Sequence, residues 1–373
     1  MIEKKITDRN QWDFKPFEEV FFDSTKYGKK IAKELYLSEG KYPIIDQGQN
    51  TIAGYSDNRD NIYEDVPAIV FGDHTRVIKY VDKPFFLGAD GVKLLKLQVD
   101  NMEYKYMYYY LLSAHIPNTG YNRHYKWLKD LMVPLPPLEI QQKIAAILDK
   151  ANQLIELRKQ QLAKMDLLIK SKFIAMFGDP VLNPMGWEKL CIGNRCDIVT
   201  GNTPPRADVD NYGEFIEWIK SDNINTPYVK LTMAEEYLSE SGLKKARYVD
   251  AGSILMTCIA GSINCIGNIA IADRTVSFNQ QINAIVPKGD RTEFLYWLLV
   301  ISKAYIQSMV NKSMKGILSK SKLSEQRYIF PPIDLQNQFA AFVDKVEQQK
   351  AVMQASLEKL EINYKSLMQQ YFG

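Results

Sequence analysis

The 373-residue sequence contains no run of 18 apolar residues, so no membrane span and no membrane partner are expected. Its first stretch, MIEKKITDRNQWDF, lacks the apolar core of a signal peptide, which leads to an expectation of a cytoplasmic protein. Cysteine is scarce: Cys191, Cys196, Cys258 and Cys265 form no C-x-x-C pair, which argues against zinc and for reduced, partly buried thiols. The three histidines (His74, His115, His124) do not cluster as metal ligands would. No G-x-x-x-x-G-K-[S/T] loop exists to cradle a nucleotide's phosphates. The nearest text to an amino-methyltransferase loop is Asn202-Thr203-Pro204-Pro205-Arg206. It has Thr inserted and Arg where an aromatic ring would stack on a flipped base. Glu103-x-Lys105 resembles part of a metal-nuclease motif, but no Pro-Asp dipeptide precedes it. These absences argue that the chain is not itself catalytic and holds no metal or cofactor of its own. Net charge is only +3, too little for a protein that grips nucleic acid by overall charge. Any such contact needs basic residues focused on one surface, or a partner that shares the work.

What the sequence does contain is a repeat. Residues 136–150 read PPLEIQQKIAAILDK and residues 331–345 read PPIDLQNQFAAFVDK, with seven of fifteen positions identical. The match continues without a gap at a constant offset of 195: Gln153 falls on Gln348, Leu162 on Leu357, and Phe177-Gly178 on Phe372-Gly373. Such a period is too long for a solenoid and reads as two copies of a domain-plus-helix unit. Each copy starts with a proline suited to the first helical position and an acid (Glu139 or Asp334) in the first turn. Neither 138–177 nor 333–372 contains Gly or Pro, and Gly178 followed by Pro180 is a stop signal.

Steps of four and three pick out one seam per helix. In the first it carries Ile144, Leu148, Ile155, Leu162, Met165 and Ile169; in the second Phe339, Val343, Met353, Leu357, Leu360 and Leu367. A sustained apolar seam of this spacing predicts a coiled coil, with the other copy as the natural partner and packing on the helix's own domain as the alternative. Arg158 and Lys350 interrupt the seam, to set register or to meet a partner. The intervening segments, rich in aromatics, β-branched residues and turn signals, read as mixed α/β globules. The expected division is 1–135 (first globule), 136–178 (helix), 179–330 (second globule) and 331–373 (helix). The globules are only weakly alike, so two similar arms carry two dissimilar recognition units.

This organisation resembles the specificity subunit (HsdS) of type I restriction-modification systems. The resemblance runs over the full length through GKYPIIDQGQNTIAGYSD (40–57), AIVFGDHTRVIKYVDKPFFLGADGVKLL (68–95), GYNRHYKWLKDLMVPLPPLEIQQKIAAILD (120–149), VTGNTPPR (199–206), FIEWIKSDNI (215–224) and GNIAIADRTVSFNQQINAIVP (267–287). It implies an α+β (mixed α/β) chain in which two target recognition domains are separated by two long antiparallel helices forming a coiled coil, a pseudo-twofold repeat. Each domain would read one half of a split double-stranded DNA target. Two methyltransferase (modification) subunits would dock around the coil and carry the S-adenosylmethionine, and restriction/translocase subunits are further candidate partners. The competing reading is a coiled-coil scaffold without DNA specificity of its own.

Reading DNA needs amide, hydroxyl and cationic groups at base edges and cations at phosphates. In the first globule the candidates are Tyr121, Asn122, Arg123, His124 and Lys126, just before the Pro-Pro helix, together with His74, Arg76 and Lys79. In the second they are Lys312, Ser313, Lys315 and Lys320 at the equivalent place, then Thr203, Arg206, Lys220, Ser221 and Asn223, and Asn279, Gln280 and Gln281. The three residues 279–281 have a structural alternative, the satisfaction of buried backbone groups. The Tyr106-to-Tyr110 run reads as core packing rather than base stacking, and Asp73, Gly88 and Asp90 as turn formers.

Overall fold

Short β-branched runs bounded by turn residues form short strands in the computed structural model, which describes residues 12–88, 90–312 and 316–373. The chain divides into two units. The first comprises residues up to Lys159 plus Ala355–Gly373, and the second Gln160–Gln354.

In the first unit, β1 (Asp13–Pro16) pairs antiparallel with β9 (Met132–Leu135), so the chain enters and leaves the globule through one two-stranded clasp. A one-turn helix, α1 (Phe17–Val20), follows β1. The main sheet is antiparallel in the order β2 (Phe21–Asp23), β8 (Val92–Leu97), β5 (Ala68–Gly72), β6 (Ile78–Val81). β5 is buried along its whole length, as an inner strand covered on both faces must be. A smaller sheet, β4 (Gly54–Ser56), β3 (Tyr42–Ile45), β7 (Phe86–Leu87), pairs β3 and β7 in parallel. Helix α2 (Tyr104–Ser113) starts at Glu103, whose carboxylate accepts from the Lys105 backbone N–H (3.2 Å), a local N-cap. Helix α3 (Tyr125–Lys129) precedes β9. Tyr106, Tyr109 and Tyr110 are buried, so the tyrosine run is core, and Tyr106 donates to the Pro134 carbonyl (3.2 Å).

The second unit repeats the clasp, the four-stranded main sheet and three strands of the smaller sheet, and adds to them. β10 (Lys189–Cys191) pairs with β22 (Arg327–Ile329) as the clasp, and α5 (Ile192–Arg195) follows β10. The main sheet runs β11 (Cys196–Thr200), β19 (Ile282–Pro287), β15 (Ile254–Thr257), β17 (Ile269–Ile271). The smaller sheet runs β13 (Tyr237–Leu238), β12 (Tyr212–Ile219), β18 (Val276–Phe278), β14 (Tyr248–Val249), again with a parallel pair, β12 and β18. Helix α6 (Glu240–Lys245) precedes β14, and α7 (Thr292–Ile301) takes the place of α2. The additions are a small sheet of β16 (Ile259–Ala260), β21 (Gly316–Ile317) and β20 (Asn311–Lys312), and helix α8 (Lys303–Ser308). Helix α9 (Lys320–Ser324) precedes β22 as α3 precedes β9. Two globules with little sequence in common therefore share one strand order.

The long helices are α4 (Leu138–Phe177) and α10 (Ile333–Phe372), 40 residues each and hence about 60 Å long. They run antiparallel in both units. In the first, Lys159 lies 3.7 Å from Glu361, and Phe372 packs on Tyr106 (5.4 Å between ring centroids). In the second, Lys350 bonds to Asp166 (2.8 Å) and the Phe173 ring meets Phe339 edge-on (5.4 Å). Ile144, Leu148, Ile155, Ile169, Phe339, Val343 and Leu357 are buried, and Leu162, Met165, Met353, Leu360 and Leu367 are half-buried. Beyond Ile169 the seam departs from its expected course. Lys172, the next position by steps of three and four, stays exposed, and Phe173 and Phe177 turn inward instead, because they complete an aromatic cluster with Phe294 and Phe339.

Candidate nucleic-acid interface

In the first unit the loops that leave β3, β5 and β7 converge with the segment before α3. Thr75 Oγ1 donates to the Gln47 carbonyl (2.6 Å), the His74 N–H to Gln47 Oε1 (3.3 Å), and Gln47 Nε2 to the Asp90 carbonyl (3.2 Å). The Asp73 N–H bonds to the Gly91 carbonyl (2.7 Å). Gly91 sits at φ +89°, and a side chain there would also press on the Gln47 amide, so glycine is required. Tyr121 is 86% exposed, and its ring stacks flat on His74 (4.6 Å, 9°), whose Nδ1–H donates to the Asn122 carbonyl (3.2 Å). Asn122 in turn donates to the Thr119 carbonyl, and Arg123 and Lys126 stand exposed beside it, Lys126 over the Trp127 ring (5.1 Å). Lys30 pairs with Asp90 (2.7 Å), and that hydrogen bond, aided by the charge of Arg123, holds the Asp90 carboxyl below its ordinary pKa. The result is an exposed rim of imidazole, phenol, amide and guanidinium groups.

Three expected contacts turn inward instead. Lys79 is 5% exposed; its ammonium is consumed by the carbonyls of Asp46 (2.7 Å) and Asn50 (2.6 Å), which hold the loop after β3 from beneath. Burial pushes its pKa down despite Asp46 nearby. His124 is fully buried, its Nδ1–H donating to the Asp73 carbonyl (3.0 Å) while Nε2 faces Thr119. Arg76, at φ +62°, spends its guanidinium on the Ile116 carbonyl (3.1 Å). All three side chains support the rim rather than form it. Asp73, expected as a turn former, also accepts the Tyr125 N–H (2.8 Å) and so starts α3.

The second unit builds the equivalent rim from different residues. Arg206 bonds to Glu236 (2.8 Å), which Lys220 also contacts, and both cations lie over the Trp218 ring (4.8 and 5.5 Å). Lys220 first, then Arg206, keeps the Glu236 carboxyl below its usual range, so two cations and one fixed anion leave a net positive face. Thr203 bonds to exposed Gln280, and Ser221 Oγ donates to Gln281 Oε1 (3.4 Å). Asn223 and Asn279 are buried. Asn223 accepts the Lys220 N–H (3.0 Å) and Asn279 the Gln281 N–H (3.0 Å), the backbone-satisfying role. The Leu318 N–H bonds to the Cys258 carbonyl (2.9 Å), which brings α9 and its exposed Lys320 toward the loop after β15. Lys312 contributes backbone to β20; Ser313 and Lys315 lie outside the described residues. Gln47, Lys30 and Glu236 escaped the sequence reading, although Gln47 stands two residues past the apolar run YPII, where a strand must end.

Among the described residues no group of three His, Cys, Asp or Glu could hold a metal ion. Glu103 caps α2 and Lys105 pairs with Asp149, so the acid-x-Lys pair is structural. No helix among the described residues is long and apolar enough to cross a membrane.

Residues 10–166 and 184–362 match the family described as the type I restriction modification DNA specificity domain. The chain is 24% identical over 372 residues to the EcoR124I/EcoR124II specificity subunit of Escherichia coli, covering 92% of this chain and 89% of that protein. It is 31% identical over 116 residues to the HindI specificity subunit of Haemophilus influenzae, covering 30% of this chain and 24% of that protein. The crystal structure of a type I S subunit from M. genitalium shares the fold, with a TM-score of 0.60 at 18% identity, covering 97% of this chain and 96% of that one.

Proposed function

The chain belongs to the type I restriction-modification DNA specificity family, and on that footing we propose how its two rims divide the work. Each globule reads one half of a bipartite double-stranded DNA target, and the helical coil sets the unread spacer. The observation that carries this reading is one strand order holding two chemically different rims, Tyr121, His74 and Arg123 in one unit and Arg206, Lys220 and Gln280 in the other. One scaffold with two sets of base-edge donors and acceptors suits two unlike half-sites. Each spacer helix, about 60 Å long, exceeds one DNA turn of about 34–36 Å.

The coil also docks two methyltransferase subunits. Leu157 and Val352 occupy the same position of the repeat and are both exposed, as are Leu167 and Ile362. Exposed apolar side chains at matching positions of two arms suit two copies of one partner. The chain is then the non-catalytic subunit of a cytoplasmic complex. Methyl transfer and its S-adenosylmethionine reside in the modification subunits, and ATP-dependent cleavage resides in restriction subunits where these join.

The test is co-expression with a methyltransferase subunit, followed by methylation mapping. A split motif with a fixed spacer is expected, changing on one side only when residues 1–135 are exchanged. A stable complex that methylates nothing would overturn the reading in favour of a scaffold.

A further inference from the structure

Two glutamines lie inside the protein, Gln141 and Gln336, 1% and 0% exposed. They are the same residue of the internal repeat, in the first turn of α4 and of α10. Each makes the same set of bonds. Oε1 accepts the backbone N–H of the residue that precedes the domain helix, Glu103 before α2 and Arg291 before α7, both at 3.0 Å. Nε2 donates to the carbonyl of the first proline of the Pro-Pro pair, Pro136 (2.8 Å) or Pro331 (3.0 Å). Nε2 also reaches the side chain one residue further back, Met102 Sδ (3.3 Å) or Asp290 Oδ1 (2.8 Å).

A buried amide is costly unless each of its polar atoms is bonded, and here both are, Oε1 once and Nε2 twice. Apolar contacts between a helix and a globule tolerate small rotations, whereas hydrogen bonds of fixed length and direction do not. The amide ties three things to one point: the start of the long helix, the turn that leads into it, and the start of the domain helix. The rims differ between the units, and the two backbone bonds of this joint do not.

We propose that Gln141 and Gln336 are positioning residues, each fixing the attitude of its recognition globule on its own stretch of spacer helix and so the place where that globule's rim meets DNA. The proposal rests on the DNA-specificity reading above. The joint of the second unit is the stiffer, because Asp290 is also held by Arg195 through two bonds (2.8 and 2.7 Å). Loss of Gln336 therefore has the larger effect.

The experiment uses the complex with methyltransferase subunits carrying Gln141→Met or Gln336→Met, which keep side-chain length and remove the amide. Initial methylation rates are compared on duplexes with the mapped target and with its spacer changed by one base pair, alongside melting temperature and subunit co-purification. The variants are expected to assemble and to lose spacing discrimination: the ratio of native-spacer to altered-spacer rates falls about tenfold. Equal slowing on all duplexes, with that ratio unchanged, would mean that the glutamines merely stabilise the fold and would overturn the proposal. Should the Met variants fail to assemble, Gln141→Glu keeps the acceptor for Glu103 and loses the donor to Pro136, and its ratio decides in the same way. Failure of the native complex to methylate any split site would sink the DNA-specificity reading itself, an outcome distinct from the other two.

Discussion

Lys350 holds a seam position of α10 where the other copy of the repeat places the buried Ile155. Its ammonium bonds across the helix pair to Asp166 (2.8 Å) and along its own helix to Glu347 (2.9 Å), with 17% of the side chain exposed. Burial opposes the charge, but the two carboxylates together outweigh it, so Lys350 stays protonated to higher pH than a free lysine. Withdrawing such a charge from water costs several kcal/mol, which the pair returns with only a small surplus. Lys350→Met removes penalty and pair together and adds apolar contact in the seam. Its unfolding free energy should lie within about 1 kcal/mol of the native value or above it. Asp166→Ala should cost about 1 kcal/mol, since Glu347 remains. Asp166→Ala with Glu347→Ala strands the ammonium and should cost about 3 kcal/mol, the low end of the range because the site keeps some solvent. For a unit of this size about 1 kcal/mol moves Tm by about 2–4 °C, so the double variant should melt about 6–12 °C lower. The raised pKa means that the stabilisation is whole below the ordinary lysine value of about 10.4 and decays as pH climbs past it. Circular dichroism melts at pH 7.5 and 11 read both effects. A Lys350→Met variant that melts as low as the double variant would refute the argument, because the ion pair would then stabilise the coil outright.

Other expectations follow from individual contacts. Arg274 grips Glu217, which is 8% exposed at the side chain, and that bond holds the Glu217 carboxyl below its usual pKa. The stabilisation is therefore present above about pH 4.3 and lost as pH falls through the lowered value, and Glu217→Gln should flatten the acid limb of a stability-versus-pH curve. Arg274→Leu leaves that carboxylate without its cation, with only the Ala234 N–H still bonded to it, and should cost about 3 kcal/mol in urea unfolding. Phe372→Ala strips a ring from Tyr106 and Tyr110 and should cost about 2 kcal/mol, with limited proteolysis falling within 12–159 rather than 160–354. Arg123→Ala should weaken DNA binding. Relaxation at one base position marks a base contact, and uniform weakening with a salt slope flatter by about one marks a phosphate contact.

The long helices were legible because their evidence is local: a proline at the start, an acid in the first turn, and no breaker before Gly178. The seam could be followed as far as Ile169, and at Ile144 and Leu148 it also serves the first globule's core. Phe173 and Phe177 obey a cluster with Phe294 on α7, a contact more than a hundred residues away that no heptad count contains. The shared strand order of the globules stayed hidden for the same reason, since β2 pairs with β8 across some seventy residues and the pairing leaves no local pattern. At the rim, residue type picked out segments that the fold brings together, but not which of their side chains face outward. Lys79 and His124 look like DNA contacts in the sequence, yet their donors are needed by carbonyls inside the loops. Gln141 and Gln336 were visible all along as an identity among like-for-like swaps, and only the bonds show why neither became Asn or Glu.

The antiparallel helix pair has a consequence for synthesis. The second unit is one continuous stretch, 160–354, whereas the first needs Ala355–Gly373, including buried Tyr371 and the Phe372 ring, to cover Tyr106 and its neighbours. The globule translated first is thus the one completed later. At about 5–20 residues per second, its core waits about 10–40 s after Lys159 has been joined, with apolar surface open to water. A chain released just after Gln354 would hold a complete second unit and an incomplete first one, so a truncated product carries its own mark of incompleteness.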